Sequence, residues 1–192
     1  MVKRAKPDYA GFVFAPGRRQ VTAEQAESLR RQLDPAIAAV GVFVKAPVEE
    51  PANLANWGTI QLIQLHGEED EAYVKALRER TKAPIIRVIR VRGPESLRDL
   101  DRYDCDYFLL DTFSGSQFGG LGKTFDHSLL RQVRFPKPFF LAGGLDPENV
   151  RAAIDECHPF GVDTSSGIET AGTKDETKIR AFVSAVRKEE ES

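Results

Sequence analysis

The sequence has little cysteine and does not space it for metal. Cys105 and Cys157 stand far apart, with no CxxC pair and no Cys/His cluster, so neither a zinc site nor a disulfide framework is expected. No run of about twenty apolar residues occurs, which excludes a membrane-spanning helix. The opening MVKRAKPDYAGF has no apolar signal-peptide core, and a reducing, cytoplasmic setting is the simplest reading. An excess of charge of one sign is also missing: 27 Lys+Arg against 29 Asp+Glu give a formal charge of −2. The basic residues are dispersed among acids, so no nucleic-acid partner is expected. What is present, 41% apolar and 29% charged residues, is a globular balance and excludes disorder. A length of 192 residues fits one domain with a substantial core, and 1–192 is read as a single domain.

Short apolar runs alternate with longer stretches of helical period along the whole chain, the pattern of parallel βα architecture. Strands are expected over Tyr9 to Phe14, Ala38 to Val44, Ile60 to Leu65, Ile85 to Val91, Tyr107 to Leu110, Pro138 to Ala142 and Gly161 to Thr164; each holds β-branched or aromatic residues between turn formers. Thr22 with Gln25 reads as a capping box, and Asp146 before Pro147 as another helix start. A last helix is expected from about Lys174 to Lys188, with Ile179, Phe182, Val183 and Val186 as its apolar stripe. Seven strands suit an open doubly wound sheet or a barrel, and periodicity does not separate them. The loops do. A βα-barrel builds its phosphate site after the last two strands, where Ala142-Gly143-Gly144 and Ser165-Ser166-Gly167 stand.

Gly143 and Gly144 let backbone approach a ligand, and Ser165, Ser166 and Gly167 offer amide and hydroxyl donors suited to phosphate oxygens. Each cluster alone also reads as a tight turn; two at consecutive strand ends form an anion cradle. Asp111 directly follows the apolar run YFLL, the place where barrels keep catalytic groups, although a turn aspartate has the same local look. His66 ends a strand as well, and reads equally as a substrate ligand or a backbone partner. Three histidines lack metal-ligand spacing, so no metal is expected. Arg18 and Arg19, in a Pro-Gly loop, form a fork for a carboxylate or simply meet solvent. The stretch from Ser114 to Asp126 contains Gly-Lys-Thr, but the P-loop pattern needs glycine where Gln117 stands. A mobile active-site loop is the better reading.

Taken in order, GFVFAPGRRQVT, QLIQLHG, FLLDT, GGLGKTFD, FLAGGLDPENV and GVDTSSGIE resemble phosphoribosylanthranilate isomerase of tryptophan biosynthesis, from about Asp8 to Arg187. The resemblance implies a TIM (βα)8-type barrel and a cofactor-free Amadori rearrangement of N-(5-phosphoribosyl)anthranilate, a substrate carrying both phosphate and carboxylate. It implies that Asp111 is the general acid and that Arg19 holds the anthranilate carboxylate. It further implies that Gly143, Gly144, Ser165, Ser166 and Gly167 hold phosphate, with His66 and Asp163 near the substrate.

Family members begin with a strand reading roughly Lys-Ile-Cys-Gly, whose cysteine is the general base, and this sequence has no such segment. Val2 to Pro7 reads instead as the last turn of the first helix. The expectation is a barrel lacking its first strand and most of its first helix, with weak or no isomerase activity in this chain and with unpaired strand edges that promote association of copies. Two other readings stay open: a non-catalytic phosphosugar-binding or interaction remnant of the family, and a related sugar-phosphate isomerase of histidine biosynthesis. For the latter the chain is short and its phosphate-binding half is not doubled.

Overall fold

The computed structural model describes residues 2–111, 130 and 133–187. Seven parallel strands, β1 (Tyr9–Val13), β2 (Ala38–Phe43), β3 (Leu62–Leu65), β4 (Ile85–Arg90), β5 (Tyr107–Asp111), β6 (Phe139–Ala142) and β7 (Gly161–Val162), are hydrogen-bonded in chain order and form a curled half-barrel. They are the seven read from the alternation, six of them trimmed at their ends and β5 longer by one residue, Asp111. The third begins at Leu62 and not at Ile60 because the Gln61 side chain, through Oε1, takes the Ala39 N–H at 2.9 Å.

Helices α1 (Val2–Ala5), α2 (Ala23–Gln32), α3 (Glu49–Asn56), α4 (Glu71–Arg80), α5 (Val150–Cys157) and α6 (Glu176–Arg187) lie between or beside the strands. Thr22 completes its capping box: its Oγ1 accepts from Gln25 N at 3.2 Å while Gln25 Oε1 accepts from Thr22 N at 2.9 Å. Asp146 caps a turn over residues 147–149 that runs into α5, its Oδ1 accepting from Glu148 N and Asn149 N. The last helix starts at Glu176, later than the apolar stripe suggested. Lys174 belongs to a two-stranded antiparallel hairpin, β8 (Glu169–Thr170) and β9 (Thr173–Lys174), and Asp175 caps α6 by accepting from Thr177 N at 2.8 Å.

Strand residues alternate between two apolar layers, as the pleat requires. On β4, Ile85 and Ile89 join the layer under the helices, while Ile86 and Val88 face the inside of the curl. Phe108 and Leu110 point outward on β5, and Leu109 inward with Val40, Leu62, Phe140 and Ala142. The lower interior is floored by aromatic rings: Phe140 lies 5.6 Å from Tyr9, 5.6 Å from Tyr107 and 5.4 Å from Phe160, centroid to centroid. Among the described residues β1 pairs within the sheet only with β2, and β7 only with β6. Polar contacts tie the two ends of the chain together below, where Arg187 Nη2 on α6 donates to Lys6 O at 2.8 Å and meets Asp8 at 3.3 Å.

Candidate active site

Because all seven strands run the same way, their carboxyl ends share one rim, and the period of two decides which rim residues turn inward. Leu109 faces inward, so Asp111, two residues on, does too; Leu62 sets the same parity for Gln64 and His66, and Ile86 and Val88 for Arg90. Asp111 is level with Arg90 on one side and Ala142 on the other. Asp163 follows β7 and donates its backbone N–H to Leu141 O at 2.8 Å, which brings it to the same rim. The acid candidate, the histidine and the second aspartate are therefore gathered at one mouth.

His66 Nε2 stands 3.8 Å from Asp111 Oδ2, beyond hydrogen-bond range. The Gln64 amide, 3.2 Å from Nδ1, donates to that nitrogen, so the proton of a neutral ring sits on Nε2, facing Asp111. Burial lowers the His66 pKa; Asp111 opposes that and Arg90 adds to it. The imidazole is thus held neutral near pH 7. Arg90 Nη2 donates to His66 O at 3.0 Å and fixes the backbone from which the ring projects.

The two small-residue clusters meet directly. Gly143 and Gly144 turn with φ of 101° and 69°, a region that side chains disfavour, and Asn149 Nδ2 pins the turn by donating to Gly144 O at 3.0 Å. Leu145 O, next along the loop, accepts from Thr164 Oγ1 at 2.6 Å. A Cβ on Gly167 would lie 1.9 Å from that same Leu145 oxygen, so only glycine permits the loops to touch. Ser165 and Ser166 are exposed above this junction.

Arg18 and Arg19 are engaged with protein, an arrangement that no local pattern signalled. Arg19 directs Nε and Nη2 at Glu169 Oε1, at 3.0 Å and 2.7 Å, and Arg18 Nη2 meets Oε2 at 3.1 Å. Arg18 Nη1 also donates to Gly172 O, and Lys174 Nζ reaches Glu169 Oε1 at 3.2 Å. Glu169 sits about 150 residues from its arginines in sequence, so only the fold pairs them. The Glu169 side chain is 8% exposed. Burial raises its pKa, but hydrogen bonds from Lys174, Arg19 and Arg18 outweigh burial and hold it at about 2 against an ordinary 4.5. A depressed carboxyl stabilises the fold above its unfolded value and loses that contribution as pH falls through its folded one. Denaturant midpoints should therefore drop between pH 4.5 and about 2 more steeply in the native chain than in Glu169→Gln; parallel curves would refute the clamp.

Neither cysteine reaches this mouth. Cys105 is buried ahead of β5, at the opposite end from Asp111, with its thiol pushed up to about 11 by burial. Cys157 is the last residue of α5, outside the sheet. The expected active-site loop, Ser114 to Asp126, lies outside the described residues.

The sequence matches the family model for N-(5'-phosphoribosyl)anthranilate (PRA) isomerase over residues 1–185. It is 43% identical to the N-(5'-phosphoribosyl)anthranilate isomerase of Lachnoclostridium phytofermentans, covering 96% of this chain and 90% of that protein. Against the enzyme of that name from Endomicrobium trichonymphae the identity is 44%, over 97% and 90%. Among solved structures, the phosphoribosyl anthranilate isomerase of Thermotoga maritima superposes with a TM-score of 0.82 at 36% identity, over 96% and 90% of the two chains. A phosphoribosyl anthranilate isomerase in complex with reduced 1-(o-carboxyphenylamino)-1-deoxyribulose 5-phosphate superposes with a TM-score of 0.79 at 33% identity, over 96% and 90%.

Proposed function

The chain belongs to the N-(5'-phosphoribosyl)anthranilate isomerase family, and from that premise we propose which of its residues carry the Amadori rearrangement of N-(5-phosphoribosyl)anthranilate in tryptophan biosynthesis. The observation that carries the reading is the shared rim: an inward carboxyl, Asp111, and two interlocked small-residue loops open at the same end of the curled sheet. Gly143, Gly144, Ser165, Ser166 and Gly167 hold the phosphate through backbone amides and hydroxyls. Arg19 offers the carboxylate the part of its guanidinium that Glu169 leaves uncommitted. Asp111 gives its proton to the furanose oxygen; the C1–O bond breaks, and the nitrogen lone pair closes a Schiff base at C1. A base then removes the C2 proton, its electrons move toward nitrogen, and the enol relaxes to the 2-ketose.

Neutral His66, with its Nε2 proton toward Asp111, supplies a fixed dipole that receives the aspartate once it has lost its proton. Asp163 lines the same mouth on the β7 side. Among the described residues no thiol reaches the rim, so neither Cys105 nor Cys157 is the base that takes the C2 proton; a missing acid or base commonly costs about 10²–10⁴ in rate. The reading includes a cytoplasmic enzyme acting on a small phosphosugar, whose β1 and β7 edges favour pairing of copies.

The test assays the purified chain beside a version preceded by a Lys-Ile-Cys-Gly strand, with complementation of a tryptophan auxotroph as readout in cells. Binding of the reduced product analogue by both, and rescue by the longer form alone, is the expected result. Full turnover by the shorter form would overturn the dependence on the cysteine. Absence of analogue binding in both would overturn the functional reading and favour a remnant with another role.

A further inference from the structure

We propose that Glu169 is a positioning residue that couples the two anion subsites, holding Arg19 and the Ser165 loop in one frame. The inference rests on the functional reading above for what the subsites bind, and on geometry for the coupling itself. Glu169 Oε1 accepts from Arg19 Nε and Nη2 and faces Lys174 Nζ at 3.2 Å. The same Nζ donates to Ser165 O at 2.7 Å and lies 3.5 Å from Ser165 Oγ. One carboxylate and one ammonium thus join the loop after β1 to the loop after β7, across the two ends of the sheet.

The hairpin makes this possible. Glu169 and Lys174 are directly paired across β8 and β9, and the turn between them has φ of 50° at Ala171 and 79° at Gly172, both left-handed as a tight two-residue hairpin turn requires. Arg18 then clips the turn by donating to Gly172 O. The buried carboxylate lies beneath cations that stay open to solvent, with side chains 61% exposed at Arg18, 40% at Arg19 and 40% at Lys174. Three cations around one carboxylate give this cluster an excess of two positive charges, suited to anionic groups of a ligand.

Charge and position predict opposite effects on removing Glu169. If only field strength mattered, Glu169→Gln would tighten anion binding; if Glu169 competed with the ligand for Arg19, it would do the same. A positioning role predicts weaker binding, because an untethered guanidinium and loop must be ordered by the ligand. The experiment is calorimetric titration of the 192-residue chain, Glu169→Gln and Glu169→Asp with reduced 1-(o-carboxyphenylamino)-1-deoxyribulose 5-phosphate and with inorganic phosphate. Hydrogen exchange of amides 18–20 and 165–168 is followed without ligand.

The expected result is a loss of about tenfold or more in analogue affinity for the glutamine variant, a smaller loss for phosphate, partial recovery in the aspartate variant, and faster exchange in both segments. Unchanged or tighter analogue binding, or faster exchange in one segment only, overturns the proposal. If the native chain binds no analogue, the functional reading fails by itself and exchange alone decides the coupling. Should the glutamine variant not fold, the same readings on Glu169→Asp decide it.

Discussion

Asp111→Asn is expected to lower kcat by about 10²–10⁴-fold in the version of the chain that carries the cysteine strand, while the affinity for the reduced product analogue changes little. Asparagine keeps the shape and the rim position, two residues beyond inward Leu109, but has no acidic proton for the furanose oxygen. The leaving oxygen would then depart as an alkoxide, and ring opening would become limiting. A substrate analogue already in the open-chain form should escape much of the loss, since its Schiff base needs no such proton. Equal losses on closed and open substrates would move Asp111 from acid to mere binding group. His66→Asn offers a control at the same mouth: it removes the Nε2–H facing Asp111 at 3.8 Å without removing the acid.

The largest effect on stability is expected away from the chemistry, at Glu69. Its carboxylate, with a side chain 1% exposed, accepts from Lys45 N at 2.7 Å and from Gly67 N at 2.9 Å. Arg87 Nη1 stands 3.7 Å away, its side chain 8% exposed. Arg87 points outward from β4 under the helices, donates to Leu65 O, Gly67 O and Val88 O, and lies 5.3 Å over the Tyr103 ring. Glu69→Ala would strand a buried guanidinium without its countercharge and two amides without their acceptor, a change that typically costs about 3–5 kcal/mol. For a chain of this size each kcal/mol is worth roughly 2–4 °C, so Tm should fall by about 10 °C, with the urea midpoint lowered and m unchanged. The double variant Glu69→Ala/Arg87→Met should regain much of the loss, because replacing both partners removes the buried charge altogether. A double variant as unstable as the single one would show that the amide contacts, and not the charge, dominate. Gly67 directly follows His66, so the single change should also disturb the site.

The pattern that made the strands legible also made most of the site legible. Apolar runs of β-branched and aromatic residues have one low-energy use in a parallel sheet, so they mark seven strands, whose hydrogen-bonding in chain order the fold then decides. Once the strands are known, the carboxyl rim is known, and Asp111, His66 and the two small-residue clusters fall on it. Residues whose role depends on distant partners stayed hidden. Arg87 interrupts the run IIRVIR without sign that Glu69 lies beside it. The hairpin at 169–174 leaves no local trace beyond Lys174, which the sequence pattern puts at the start of the last helix, since Ala-Gly is a weak signal for a turn needing positive φ at both positions.

Sequence alone determined the alternation of strand and helix, the capping of α2 by Thr22, and which rim residues could carry a proton or an anion, because these depend on local period and side-chain chemistry. Only the tertiary structure decided that Arg18, Arg19 and Lys174 converge on Glu169 and that Leu145 O meets Gly167. The physical reason is curvature: bending the sheet brings the loop after its first strand against the loop after its last, and contacts between segments so far apart in sequence leave no local trace.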